Sequence, residues 1–463
     1  MKENYSDNFF NVSSEFGFLP QKKPISHLPE KYFELQNLLD NMPVQLPDGS
    51  PGILAVPNKI EKEVDNLPNF IKEVKKENDI MIIQALFRGY CFLTSAYTLE
   101  LSYQEYVKSK NYGKARNVLP KQIAEPFVFV AKKLDVFPWL DYHYAYSLGN
   151  FKFLDGTENY HWSNLDQCVK FSGKKDETGF IMNHVDINQH SPKLVQSVLE
   201  SLISIKNNNN DSLNFWLEQN YKAMIKVNDR RKDMWQASRW KNYNDFRIFI
   251  MGIKGNDEIF GEGLIYQGVS TEPKQYRGQT GAQDNIIPTA DIFTGVIDYY
   301  PKNDLTKYLL DLRSYRPKCI QNFLSDIKDE MKENRLFNSI KVSKNEEGLC
   351  LLIKILDEIY YFRNGHWQFV QKYIMANTKY AKATGGTPII SWIPNQITAV
   401  LNYMSDVLEL IPDNSSFIDK ALFSEQLSKK ITLLEKQLQL LHGDKYNAED
   451  VFALNKKHKL NDN

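Results

Sequence analysis

The sequence predicts an all-α fold, and three observations carry that prediction. Apolar residues recur at alternating steps of three and four along most of the chain, strand-like alternation is scarce, and no internal repeat is found. The clearest case is a single stripe of Leu349, Leu352, Leu356, Ile359, Arg363, His366, Val370 and Tyr373, which one long helix places on one face. At 463 residues the chain is long for one core, so two domains are expected: a small helical N-terminal unit, 1–155, and a large all-helical unit, 156–463.

Taken in order, residues 1–28 read as an extended strap on the surface, because Pro20 and Pro24 block regular helix. Helices follow at about 29–42, 58–76, 78–107 and 120–138, separated by breaks such as Pro43 to Pro57. An aromatic helix, 139–150, leads into a polar connection, 155–175, taken as the domain boundary. Residues 180–184 then introduce a helix running to about 205, and the asparagine run 207–210 is a turn. Further helices are expected at about 211–236, 244–252, 286–298, 303–313 and 317–332, with low-bulk loops at 252–263 and 278–283. After the long helix from 348 and the loop 383–387, more helix follows Pro394, then an amphipathic segment, 417–441, and a frayed polar tail.

Composition narrows the function. Lys+Arg and Asp+Glu each number 57, a balance that points away from nucleic acid and from membrane surfaces. The most apolar segment, 79–101, is interrupted by Arg88 and reads as a core helix, not a membrane span. Cys91, Cys168, Cys319 and Cys350 are widely spread, and the start of the chain is polar with no secretory leader, so a cytoplasmic location with reduced thiols is expected. Aromatic residues at 13% suit a large flat apolar pocket.

The long helix carries the candidate chemistry. Arg363 on its apolar stripe requires a carboxylate partner, because an unpaired buried guanidinium is costly. His366 lies on the same face, and Gly365 beside it leaves room for something flat. By residue type alone such a histidine is more often a satisfied core residue than a metal ligand. The loop 383–387 is suited to closing over a ligand.

The motifs GFLP (17–20), LPKQIAEPF (119–127), LGNF ending at Phe151, FRIFIMGIKGN (246–256), GLIYQGV (263–269), YRGQTGAQDN (276–285), LRSYRPKCIQNFL (312–324), RNGHWQFVQKYI (363–374) and KATGGT (382–387) together resemble the indoleamine 2,3-dioxygenases, which are two-domain all-helical haem enzymes. The resemblance implies haem b with its iron on His366, Arg363 paired with Asp291 on the proximal side, a carboxylate grip by Arg247, small residues Thr280, Gly281 and Ala282 over the distal face, and Thr384 in a substrate-closing loop. Structural ion pairing for Arg247 and bland glycine turns for the loops are the alternatives that residue type leaves open.

The chain departs from the family in the pocket. His184 stands where animal members carry serine, and the related tryptophan 2,3-dioxygenases use a distal histidine to bond the indole N–H. An ordinary surface histidine is the competing reading, and an unperturbed one titrates near roughly pH 6.5. Asn242, followed by Tyr243, stands where an aromatic usually packs on the indole; His143 falls where a pocket tyrosine is common; Phe180 completes the expected wall. The implied function is insertion of O₂, as co-substrate, across the indole C2–C3 bond of tryptophan or a relative, giving an N-formylkynurenine-type product in tryptophan catabolism through the kynurenine pathway. Two alternatives are a haem-dependent aromatic monooxygenase of secondary metabolism and a haem- or indole-binding sensor. The small-molecule substrate is the one partner implied.

Overall fold

The most apolar segment forms the helix Ile80–Ser109, started by Asp79, whose side chain accepts from the Met81 N–H, and ended by Lys110 in the left-handed conformation. It is long and apolar enough to cross a membrane, yet most of that window is packed inside the protein. Its polar residues tie neighbours down. Gln84 donates to the carbonyls of Tyr144 (2.6 Å) and Gly149 (2.9 Å), and Arg88 donates to the carbonyls of Gly149 (2.9 Å) and Ile25 (2.6 Å).

The computed structural model describes residues 5–333, 335–378, 382, 384, 389–441 and 448–457. The polar start 1–4, the tail 458–463 and positions 383 and 385–387 of the expected closing loop lie outside them. Helix makes up 64% and strand 5%, so the fold is all-α. Among the described residues the strands form only two-residue or three-residue pairs: Tyr5–Ser6 with Asn11–Val12, Val118–Leu119 with Ile265–Tyr266, and Phe151–Phe153 with Leu165–Gln167. The last pair stands across the expected domain boundary. Buried apolar side chains make one cluster from Tyr5 to Val451.

Several elements differ from expectation for local reasons. The helix expected over 58–76 is two, Lys59–Asp65 and Ile71–Lys76, because Pro68 between them lacks an N–H and fixes its backbone. The aromatic helix of 139–150 is a single wide turn, Tyr142–Tyr146, whose N–H groups at His143, Tyr144 and Ala145 all donate to the Asp141 carboxylate. The strap does not merely lie on the surface, since Phe9, Phe10, Val12 and Phe18 are buried. Residues 175–205 form two helices, Lys175–Asn188 and Ser191–Lys206, and a short helix, Arg335–Val342, is an addition.

The core of the larger half is the helix Glu346–Phe369, capped by Asn345 through the Gly348 N–H and packed against Asn210–Lys232 and Ile389–Leu410. At Val370–Met375 it widens into π-helix, and the Val370 N–H is shared between the carbonyls of His366 and Trp367. Such widenings often mark functional positions.

Candidate active site

Two connected cavities meet at His366. The first is walled by Ala282, Asp291, Tyr300, Arg313, Arg316 and Arg363; the second by Phe180, His184, Arg231, Tyr243, Thr280 and Thr384. Gly281, Asp284, Phe362 and His366 wall both. Burial, helped by His184, Arg231 and Arg363 nearby, pushes His366 down to about 4, so its imidazole is neutral at physiological pH. Neutral imidazole is the form that binds a metal.

The stripe on the long helix faces this space as a charged and aromatic wall. Arg363 Nη2 lies 2.5 Å from Asp291 Oδ2 and 2.8 Å from the Tyr300 hydroxyl, which also donates to that carboxylate oxygen. Burial opposes the Arg363 charge, but Asp291 and Tyr300 outweigh it and raise its pKa. Asp291 comes from Ile286–Thr294, a helix entered directly from the small-residue turn Gly281–Gln283. Thr280 opens that turn: its side chain accepts from the Ala282 N–H (3.4 Å), while Gln283 Oε1 accepts from the Thr280 N–H (3.1 Å). A Cβ on Gly281 would come within 3.6 Å of His184 Cε1, so the glycine keeps the space beside that ring open.

His184 is carried by Lys175–Asn188, which reaches the cavity because Gly179 lets it approach Ala237; a Cβ there would meet the Ala237 carbonyl at 1.8 Å. Phe180 packs with its ring centroid 5.5 Å from His184 and 5.2 Å from Tyr243. His184 is no surface histidine, and burial pushes it down to about 4. Tyr142 donates its one hydroxyl proton to Asp284 Oδ2 (3.0 Å), which also accepts from Asn188 (2.8 Å). His184 Nδ1 lies 3.3 Å from the same phenol oxygen. With the phenol proton committed, Nδ1 must carry the imidazole proton, which leaves the Nε2 lone pair as an acceptor.

Three expected substrate contacts are placed elsewhere. His143 is fully buried and lines neither cavity; its Nε2 lies 3.2 Å from Asn285 Oδ1, behind the wall. Asn242 is likewise absent from the cavity walls and donates to Asp176 (2.7 Å), drawn there beside Arg239. Arg247 is fully buried behind Tyr243 and lines neither cavity. It donates to the Tyr112 hydroxyl (2.7 Å) and the Lys382 carbonyl (2.5 Å). Thr384 does reach the wall, held by its hydroxyl on the Gln279 carbonyl (2.9 Å) and by the Gly252 N–H on its own carbonyl (2.7 Å). Tyr142, Asp284, Arg231, Arg313, Arg316 and Phe369 line or support the site although the sequence reading gave them no role, while Tyr373 reaches it from the long-helix stripe. The LRSYRPK motif contained the signal for two of them, because closely spaced arginines beside a proline-broken turn are costly to bury without an anion.

A family model of indoleamine 2,3-dioxygenases matches residues 6–412. The chain is 25% identical to indoleamine 2,3-dioxygenase 2 of Homo sapiens, over 82% of this chain and 86% of that protein. It is 23% identical to indoleamine 2,3-dioxygenase 1 of Rattus norvegicus (81% and 86%). It is also 25% identical to a 6-hydroxytryptophan 2,3-dioxygenase of Fusarium equiseti (79% and 84%). Together with the helical fold and the histidine-walled cavity, these matches define an oxidoreductase of the dioxygenase class. The chain belongs to the indoleamine 2,3-dioxygenase family.

Proposed function

We propose that the protein is a haem-dependent dioxygenase acting on tryptophan or a close indole relative, with His366 holding the cofactor and His184 facing the substrate. The observation that carries this reading is the second cavity, in which a neutral His366 and a neutral His184 with a free acceptor wall one aromatic-lined space. The residues fit haem: a neutral imidazole, flat apolar walls and a guanidinium-rich first cavity. Haem bound there supplies the oxygen activation. The chain's own residues supply orientation. Phe180, Tyr243 and Tyr373 enclose an indole and exclude water, and His184 Nε2 accepts its N–H. Tryptophan itself and an indole of secondary metabolism both suit this chemistry, and relatives named for an indoleamine and for 6-hydroxytryptophan support it.

The deciding experiment supplies tryptophan and ¹⁸O-labelled O₂ to the purified ferrous protein. Two labelled atoms in the product are expected; one labelled atom would establish a monooxygenase and none a sensor.

Arg247 is bonded to a neutral carbonyl, and a substrate carboxylate is the stronger acceptor. Exchange of the Lys382 carbonyl for that carboxylate would bring Arg247 into use. Arg247→Ala is then expected to weaken tryptophan binding by about 1.5–3 kcal/mol, roughly ten- to a hundredfold. Tryptamine, which has no carboxylate, should bind the parent poorly and be little changed. Equal loss for both ligands would reduce Arg247 to an anchor of the segment around Lys382.

His184 governs the expected pH behaviour. Its folded pKa of about 4 lies below the unfolded value, so its neutral acceptor persists as pH falls through roughly 6.5 and is lost only near 4. The rate profile should therefore show no His184 inflection between roughly pH 5.5 and 8, where an unperturbed histidine would titrate. Tyr142→Phe removes the group that fixes the tautomer. It should cost about 1 kcal/mol, roughly fivefold in kcat/KM, and blunt discrimination between tryptophan and 1-methyltryptophan. Undiminished discrimination in that variant would show that Tyr142 does not set the ring.

A further inference from the structure

The first cavity contains two guanidiniums without a carboxylate of their own. Arg316 is 2% exposed and spends its bonds on neutral acceptors: Nε on Asn285 Oδ1 (3.0 Å), Nη2 on the carbonyls of Ala282 (3.2 Å) and Asp284 (3.1 Å). Its Nη1 is buried with no partner among the described residues. The side chain of Arg313, one helical turn earlier on the same wall, makes no hydrogen bond or ion pair with any described residue. The nearby carboxylates hydrogen-bond to other groups, although Asp291 Oδ1 has no hydrogen-bond partner among the described residues, and Asp291 attracts Arg313 and Asp284 attracts Arg316 through space. Asp291 takes Arg363 and Tyr300, while Asp284 takes Tyr142, Asn188 and the Ile286 N–H. Burial and the charge of Arg313 press Arg316 down to about 9, the mark of like charges sharing a poorly solvated space.

The first cavity sets three guanidiniums, Arg313, Arg316 and Arg363, against two carboxylates, Asp284 and Asp291, so its walls carry an excess of positive charge. We propose that Arg313 and Arg316 form a carboxylate subsite that takes the propionates of the haem held at His366. The assignment rests on the haem reading above. It favours cofactor over substrate because both arginines wall the first cavity, with Arg363 and His366, and neither walls the second, where His184 and the aromatic rings lie. Arg316 has a further effect: its bonds to Ala282, Asp284 and Asn285 couple an anion in the subsite to the turn that opens the space beside His184.

The test loads the apoprotein with haem or with haem dimethyl ester, whose propionates are neutral, and follows transfer to excess apomyoglobin. Parent protein should release the ester about tenfold faster or more, the scale of one charge-assisted contact. Arg313→Gln and Arg316→Gln should speed release of haem but not of the ester, with an unchanged haem absorption spectrum. Arg313→Gln removes no bond to described residues, so it tests the subsite even where Arg316→Gln unsettles the turn. Equal release of haem and ester by the parent overturns the subsite. So does a variant whose haem release is unchanged while tryptophan, but not tryptamine, gains a higher KM, because the carboxylate would then be the substrate's. A parent that binds neither porphyrin overturns the haem reading itself.

Discussion

His366→Ala is expected to give a folded, helical protein that no longer retains haem in its native ligation. The position is the one imidazole shared by both cavity walls, and it is neutral and available to a metal. Alanine is the best helix former, and the ring faces open space, so the helix Glu346–Phe369 should lose little. Haem stoichiometry and absorption report the ligand, and circular dichroism reports the fold. An unchanged haem spectrum and stoichiometry would falsify the assignment of His366.

Asp291→Ala should produce the largest loss of stability. It leaves Arg363 charged, 7% exposed and without its carboxylate, and removes the acceptor of the Tyr300 hydroxyl. Breaking one side of a buried pair costs about 3–5 kcal/mol. Urea denaturation of the apoprotein measures it free of the cofactor. Asp291→Asn, which keeps shape and an acceptor, should lose less, and Arg363→Met in the Asp291→Leu background should recover part of the loss. A denaturation midpoint unmoved by Asp291→Ala would mean that another group neutralises Arg363.

The long helix was legible because helical period and apolar burial coincide over Leu349 to Tyr373. The same stripe made Arg363 a buried charge in need of an anion, a conclusion that needs only the cost of desolvation. Breaks were less legible where a side chain substituted for helix. Asp141 satisfies three consecutive N–H groups and so stops the aromatic helix after a single turn, which spacing alone does not reveal. The motif resemblance reached the family, because ordered motifs survive where overall identity is about a quarter.

The pocket divides differently. Residue types and order were enough for an all-α protein with a histidine and an arginine on one inward face. Which side chains meet across the cavity depended on elements far apart in sequence, and so on packing. Asp176 and Arg239 draw Asn242 aside, Asn285 holds His143 behind the wall, and Lys382 occupies Arg247. The state of His184 was also decided there. A lone histidine titrates near neutrality, whereas this one is half-buried in a cavity wall, desolvated there, beside a tyrosine whose proton is already committed, and left neutral with one acceptor nitrogen. Desolvation and hydrogen-bond partnership are properties of the surroundings, and the linear order of residues does not contain them.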